Sequence, residues 1–196
     1  MKKIFLLLVI VLIFCVGCSN KDTSSGTIDK VSYKETNKQT NYVKIETNQG
    51  IMLAELYPDV APLTVENFKK LVSEKYYDNT NFHRIIKDFM IQGGQNNSKK
   101  VASIKGEFTA NNFENNLKHD RGILSMARTS IPNSATSQFF IVHKKSPHLD
   151  GNYASFGKLL AGYDVLDKIA SVETDTNDAP TTTQKIKSIR FIEIKE

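Results

Sequence analysis

The sequence predicts a mainly β protein, an antiparallel barrel or sandwich whose open ends are covered by two helices. Three observations predict it. Short apolar runs recur along most of the chain, at 42–46, 51–57, 82–86, 89–92, 123–127, 138–143, 153–160 and 186–195, with turn residues between them. Only two segments carry apolar residues at helical spacing. The chain of 196 residues, 40% hydrophobic and 24% charged, has the length and composition of one well-buried domain after a short leader.

Taken in order, Val43 and Ile45 alternate with Lys44 and Glu46, a half-buried strand. Asn48-Gln49-Gly50 turns the chain into a second strand that Pro58 stops. Ala61-Pro62 opens a helix, because proline suits the first helical turn. Val65, Phe68, Leu71 and Val72 then recur on one face through about Lys75. Two short strands follow, and then an asparagine-rich loop from Gln95 to Asn116, long enough to be functional or to hide structure. Residues 123–127 and 138–143 read as buried strands flanking a polar stretch, Ser130 to Ser137. A strand over 153–160 leads into a helix over 162–171, with Val165, Leu166 and Ile169 on one face. Glu173 to Gln184 is an acidic, Thr-rich loop, and Ile186 to Lys195 closes the chain as a strand.

The N-terminus has a different character. Lys2-Lys3 precede an unbroken apolar run from Ile4 to Val16, shorter than the roughly 20 residues a spanning helix needs. This is the pattern of a signal peptide over residues 1–17. Val16-Gly17-Cys18 then resembles a bacterial lipobox, in which the cysteine is lipidated and becomes the new N-terminus; Cys15 stands where that motif usually has Leu. Cys15 and Cys18 are the two cysteines of the chain, so cleavage before Cys18 leaves a folded domain without a disulfide framework or thiol nucleophile. Residues 18–40 hold few large apolar side chains and read as a lipidated N-terminus and flexible tether, with the domain proper over 41–196. The expected location is the extracytoplasmic face of the cell membrane. Removing residues 1–17 takes two of the 26 basic residues and none of the 21 acidic ones, leaving +3, too mild to point to nucleic acid.

Two stretches carry the chemistry. Phe82-His83-Arg84 leads into Phe89-Met90-Ile91-Gln92-Gly93-Gly94, and Ser137-Gln138-Phe139-Phe140-Ile141 repeats the polar-then-aromatic theme. Together they suggest an apolar pocket with an arginine at its lip, suited to binding and bending rather than cleaving. Phe139 and Phe140 must face opposite sides of a strand, so only one can line such a pocket. His83, His119, His143 and His148 lack the spacing of metal ligands. Ser125, Ser137 and His143 have no Gly-x-Ser-x-Gly elbow around them to support a hydrolase.

With Gly122-Ile123-Leu124-Ser125-Met126-Ala127, Leu149-Asp150-Gly151 and Phe156-Gly157 added, the chain from about Tyr42 to Glu196 resembles a cyclophilin, a peptidyl-prolyl cis–trans isomerase. Met126-Ala127-Arg128-Thr129 and Pro132-Asn133-Ser134-Ala135-Thr136 are similar to the bacterial branch. The resemblance implies a closed eight-stranded antiparallel barrel capped by two α-helices. It implies catalysis by Arg84, positioned by Gln92, and a proline pocket of Phe89, Met90, Phe140, Leu149 and Tyr153. It implies a substrate groove of His83, Ala127, Arg128, Gln138 and His148. His148 stands where many members carry a Trp that packs on the inhibitor cyclosporin. No cofactor or metal is implied. The implied partners are proline-containing unfolded or exported polypeptides and, through the lipid, a membrane; a monomer is expected. A non-catalytic module or chaperone that captures Pro-containing segments is the alternative.

Overall fold

A computed structural model of the chain describes residues 25–195. Its strands are β1 (Ser25–Ile28), β2 (Val31–Glu35), β3 (Tyr42–Thr47), β4 (Ile51–Leu56), β5 (Thr80–Ile86), β6 (Met90–Gly93), β7 (Ile123–Met126), β8 (Phe139–Val142), β9 (Ser155–Ala161) and β10 (Gln184–Lys195). Helices α1 (Pro62–Ser73) and α2 (Tyr163–Ala170) complete the regular structure. Eight strands run antiparallel in the order β3-β4-β9-β7-β8-β6-β5-β10. The last of them closes the barrel: Gln184–Ile186 pair with Phe82–Thr80 of β5, and Ile186–Phe191 pair with Thr47–Val43 of β3.

Strands β7 and β8 of the β6-β8-β7 wall are buried on both faces, which explains the uninterrupted apolar run Phe139–Val142 of β8. Ile91, Leu124, Phe139 and Ile141 point into the barrel. There Phe139 meets the rings of Phe68, Tyr77 and Phe82 edge-on at 5.5, 5.5 and 6.3 Å. The alternate residues Met90, Ile123, Phe140 and Val142 form a second cluster with Leu149 on the other side of the same wall. A strand period of two therefore sorts adjacent residues into a core and a separate apolar surface.

Helix α1 buries Thr64, Val65, Phe68, Leu71 and Val72, and α2 buries Val165, Leu166, Ile169 and Ala170. Ala61 offers α1 no capping side chain. The cap comes instead from the asparagine-rich loop. Glu107, fully buried, accepts the Leu63 N–H at 2.9 Å and the Thr64 N–H at 2.8 Å. A carboxylate there satisfies two of the helix's unpaired donors and matches the positive end of its dipole. The loop also holds a single 3₁₀ turn, Thr109–Asn111, and a bridge between Ile104 and Ala135.

One expectation is corrected. Part of the segment read as a flexible tether, residues 25–35, is a β-hairpin, and the ordered chain begins well before residue 41. Strand β2 pairs with Ile192–Lys195 at the far end of β10. Successive carbonyls of β10 face opposite edges: that of Phe191 accepts the Thr36 N–H, and that of Ile192 accepts the Thr40 hydroxyl. Tyr33 is buried with Leu53, Ala161 and Ile192. Glu35 forms an ion pair with Lys44, which is buried and also donates to Glu46 at 3.0 Å. The Asp29 carboxylate at the hairpin turn accepts the Gly162 N–H at 2.7 Å, just before α2. These tertiary contacts order a segment too polar to order itself. The proposed signal peptide and the proposed lipidation site, Cys18, lie outside the described residues.

Candidate active site

The second apolar cluster opens into a cavity of about 330 Å³ on the outside of the barrel wall. Its lining brings together Arg84, Phe89, Met90, Gln92, Ala127, Arg128, Phe140, His148, Leu149 and Tyr153. Each element contributes by its geometry. In the β5–β6 hairpin Arg84 lies opposite Gln92, after an irregularity in the register between Phe82 and Arg84. Gln92 in turn lies opposite Phe140 on β8. The tight turn places Asp88 in the left-handed region (φ 61°), a conformation aspartate tolerates. Two bonds from His143 hold that turn. The His143 N–H donates to the Phe89 carbonyl at 2.8 Å, and its Nδ1 accepts the Asp88 N–H at 3.0 Å. Phe89 is thereby fixed against His148, ring centroids 5.2 Å apart.

Leu149 arrives on a 3₁₀ turn, Pro147–Leu149, that His119 staples to the barrel. The buried His119 ring bonds Asp150 Oδ1 at 3.0 Å through Nδ1 and Ser125 Oγ at 3.0 Å through Nε2. Its backbone adds two more ties, accepting the Ser146 N–H and donating to Asp150. Burial pushes the His119 pKa down, against the pull of Asp150, so the ring is neutral with Nδ1–H toward the carboxylate. Tyr153 meets Phe140 edge-on at 5.9 Å. The Arg128 guanidinium lies between the rings of Tyr153 (4.6 Å) and Phe108 (4.9 Å) and donates to the Asn152 and Thr129 carbonyls.

A second cavity of about 190 Å³ shares Gln92, Ala127 and Arg128 with the first and continues to Thr129, Ser134, Thr136 and Gln138. Gln92 Nε2 donates to Gln138 Oε1 at 2.9 Å across the boundary. The structure therefore joins every residue assigned to pocket and groove except one. His83 lines neither cavity. It faces a separate polar hollow bounded by residues 78–81 and 95–98, and its buried Nδ1 has no hydrogen-bond partner among the described residues. Strand alternation explains the separation from Arg84, its chain neighbour. Burial lowers the His83 pKa. The Gly93-Gly94 pair serves the barrel: a Cβ on Gly93 would lie 2.7 Å from the Asn81 carbonyl oxygen.

Sequence reasoning missed Asp178. Its carboxylate accepts the Arg84 Nε–H at 3.2 Å from the acidic loop between α2 and β10. The acidic, Thr-rich composition of that loop was the one available signal, and it does not single out a residue.

The cyclophilin type peptidyl-prolyl cis-trans isomerase/CLD family model matches residues 42–191. A peptidyl-prolyl cis-trans isomerase-like 1 of Neurospora crassa is 43% identical over 153 residues, covering 76% of this chain and 93% of its own. A peptidyl-prolyl cis-trans isomerase-like 2 of Rhizopus delemar is 42% identical over 83% of this chain, which spans only 31% of that longer protein. The crystal structure of a Cryptosporidium parvum cyclophilin type isomerase, determined in the presence of the dipeptide Ala-Pro, superposes with a TM-score of 0.69 at 37% identity, covering 76% of this chain and 97% of that one. On its barrel, its matched length and these identities, the chain belongs to the cyclophilin-type peptidyl-prolyl cis–trans isomerases.

Proposed function

We propose that Arg84 accelerates rotation about X-Pro bonds in exported polypeptides while the apolar cavity holds the proline ring. The carrying observation is that Arg84 shares a wall with a cavity lined by Phe89, Met90, Phe140 and Leu149 and, among the described residues, by no carboxylate, thiol or aliphatic hydroxyl. Such a lining can grip a ring and donate hydrogen bonds. It holds no serine or cysteine nucleophile, and rotation needs none.

Amide resonance sets a barrier of about 18–20 kcal/mol to rotation. X-Pro bonds populate cis readily and still exchange only over tens to hundreds of seconds. A catalyst must bind the twisted amide better than either planar form. Twisting localises a lone pair on the prolyl nitrogen. A guanidinium, permanently charged and rigidly forked, donates to that nitrogen or to the neighbouring carbonyl. An acceleration of roughly 10⁵ needs about 7 kcal/mol of differential stabilisation. A charge-assisted hydrogen bond in a partly dry site, together with orientation of the bound proline, supplies stabilisation of that kind. The groove shared by Ala127, Arg128 and Gln138 takes the residues preceding the proline.

The leader and Cys18 support placing this activity outside the cytoplasmic membrane, on a lipid anchor. With the hairpin folded, only six residues separate Cys18 from β1, so the lipid would hold the barrel close to the membrane surface. Protease-coupled isomerisation of an Ala-Pro peptide, with the proline-limited refolding of an exported protein beside it, tests the reading. The chain is expected to accelerate both at substoichiometric amounts. Binding to unfolded chains without acceleration of either would make it a capture module instead.

A further inference from the structure

We propose that Asp178 is the positioning residue of the site, holding the Arg84 guanidinium so that its two terminal nitrogens face the substrate. The inference rests on the reading of Arg84 as the catalytic cation.

Asp178 is tied to the arginine's strand at two points. Its carbonyl accepts the N–H of Ile85, the residue after Arg84, at 2.8 Å. Its carboxylate accepts from Arg84 Nε at 3.2 Å. The first contact fixes the loop backbone relative to β5, and so fixes where the carboxylate stands. The second then takes the one guanidinium donor nearest the stem. Among the described residues no other group bonds this guanidinium, which leaves Nη1 and Nη2 for a ligand.

The loop is built to present this residue. Asp175 Oδ1 accepts the N–H groups of Asn177 and Ala179, and the Asp175 N–H donates to the Ala179 carbonyl. Thr174 bridges to Pro180 on either side of the turn. At its tip Asp178 has φ 64°, the left-handed region in which Asp, Asn and Gly are the tolerated residues.

An ordinary surface ion pair between groups 43% and 40% exposed contributes little to stability. Orientation is a different matter. A side chain as long as arginine, half in solvent, samples many rotamers unless something holds it, and small misplacement of a catalytic group is costly. A bond to Nε alone limits that sampling without competing for the atoms that meet the substrate.

The test compares Asp178→Gly and Asp178→Asn with wild type in the full chain, measuring peptide isomerisation, peptide affinity by NMR and melting temperature. Glycine removes the carboxylate without straining the left-handed turn; asparagine keeps a hydrogen-bond acceptor there. Asp178→Gly is expected to lose about tenfold in kcat/KM, in kcat rather than KM, and Asp178→Asn about threefold or less. Peptide affinity and melting temperature should stay close to wild type. In an Arg84→Ala background, Asp178→Gly should cost nothing further. Full activity of Asp178→Gly beside an inactive Arg84→Ala would overturn the proposal and leave the role of Arg84 standing. Parallel loss of affinity, melting temperature and activity in both Asp178 variants would overturn it in favour of a structural role. Full activity of Arg84→Ala would overturn the role of Arg84 and the proposal with it.

Discussion

The His119 ring lies stacked on Phe140, centroids 6.1 Å apart and planes 17° from parallel. A neutral, buried histidine thus backs the floor of the cavity while its two nitrogens hold Ser125 and Asp150. The packing of Phe140, which lines the cavity, is therefore linked to the protonation state of His119.

That dependence has a sign. Burial depresses the folded-state pKa of His119, and of His83, below the ordinary 6.5. Each favours the fold above the unfolded value and loses that contribution as pH falls through the depressed folded value. Asp150, held low by its bonds to His119 against the opposing effect of burial, adds a second loss further down, below 3.8. Melting temperature should therefore fall on acidification from about pH 6.5. His119→Gln should flatten the upper part of that slope. An unchanged slope in the variant would remove His119 from the explanation.

Glu107 gives a second prediction. Glu107→Ala leaves the buried Thr64 N–H and the partly buried Leu63 N–H uncapped, at a cost of about 2–4 kcal/mol for two lost charge-assisted bonds. Chemical denaturation would measure it. A change under about 0.5 kcal/mol, the level of an ordinary surface substitution, would mean that α1 finds its cap elsewhere.

The N-terminal hairpin yields a third. A chain starting at Asn41 loses Tyr33 from its cluster with Leu53 and Ile192, and strips Glu35 from buried Lys44. Burial lowers the Lys44 pKa, but Glu35 and Glu46 outweigh it and raise the group overall, so the charge stays on and needs its partners. The shortened chain should melt several degrees below one starting at Ser25. Equal melting temperatures would show the hairpin to be decoration.

The proposed anchor is testable by metabolic labelling. Palmitate should enter the wild type in its native membrane and fail to enter Cys18→Ala; equal labelling of the two would eliminate lipidation at that cysteine.

Much of this could be read from the sequence because it depends on local pattern. The strand alternation that separates Phe139 from Phe140 is a matter of period, as is the buried face of α1. The hairpin was not legible. Its turn, Asp29-Lys30, places both residues at positive φ (47° and 70°) without the glycine that normally marks such a turn, and its few apolar residues need β4, β9 and β10 to bury them. Glu107 and Asp178 were not legible either. Each acts on a partner far along the chain, and only barrel closure brings Asp178 to Arg84. The resemblance implies a groove role for His83, and the strand turns its side chain away from both cavities.

The most direct test of Arg84 as the catalytic group is the isomerisation rate of an Ala-Pro peptide with wild type and Arg84→Ala, with peptide affinity measured alongside. Arg84→Ala is expected to lose at least about a hundredfold in kcat/KM, the scale of removing one charge-stabilising donor, while still binding the peptide in an intact pocket. Wild-type turnover by the alanine variant would contradict it.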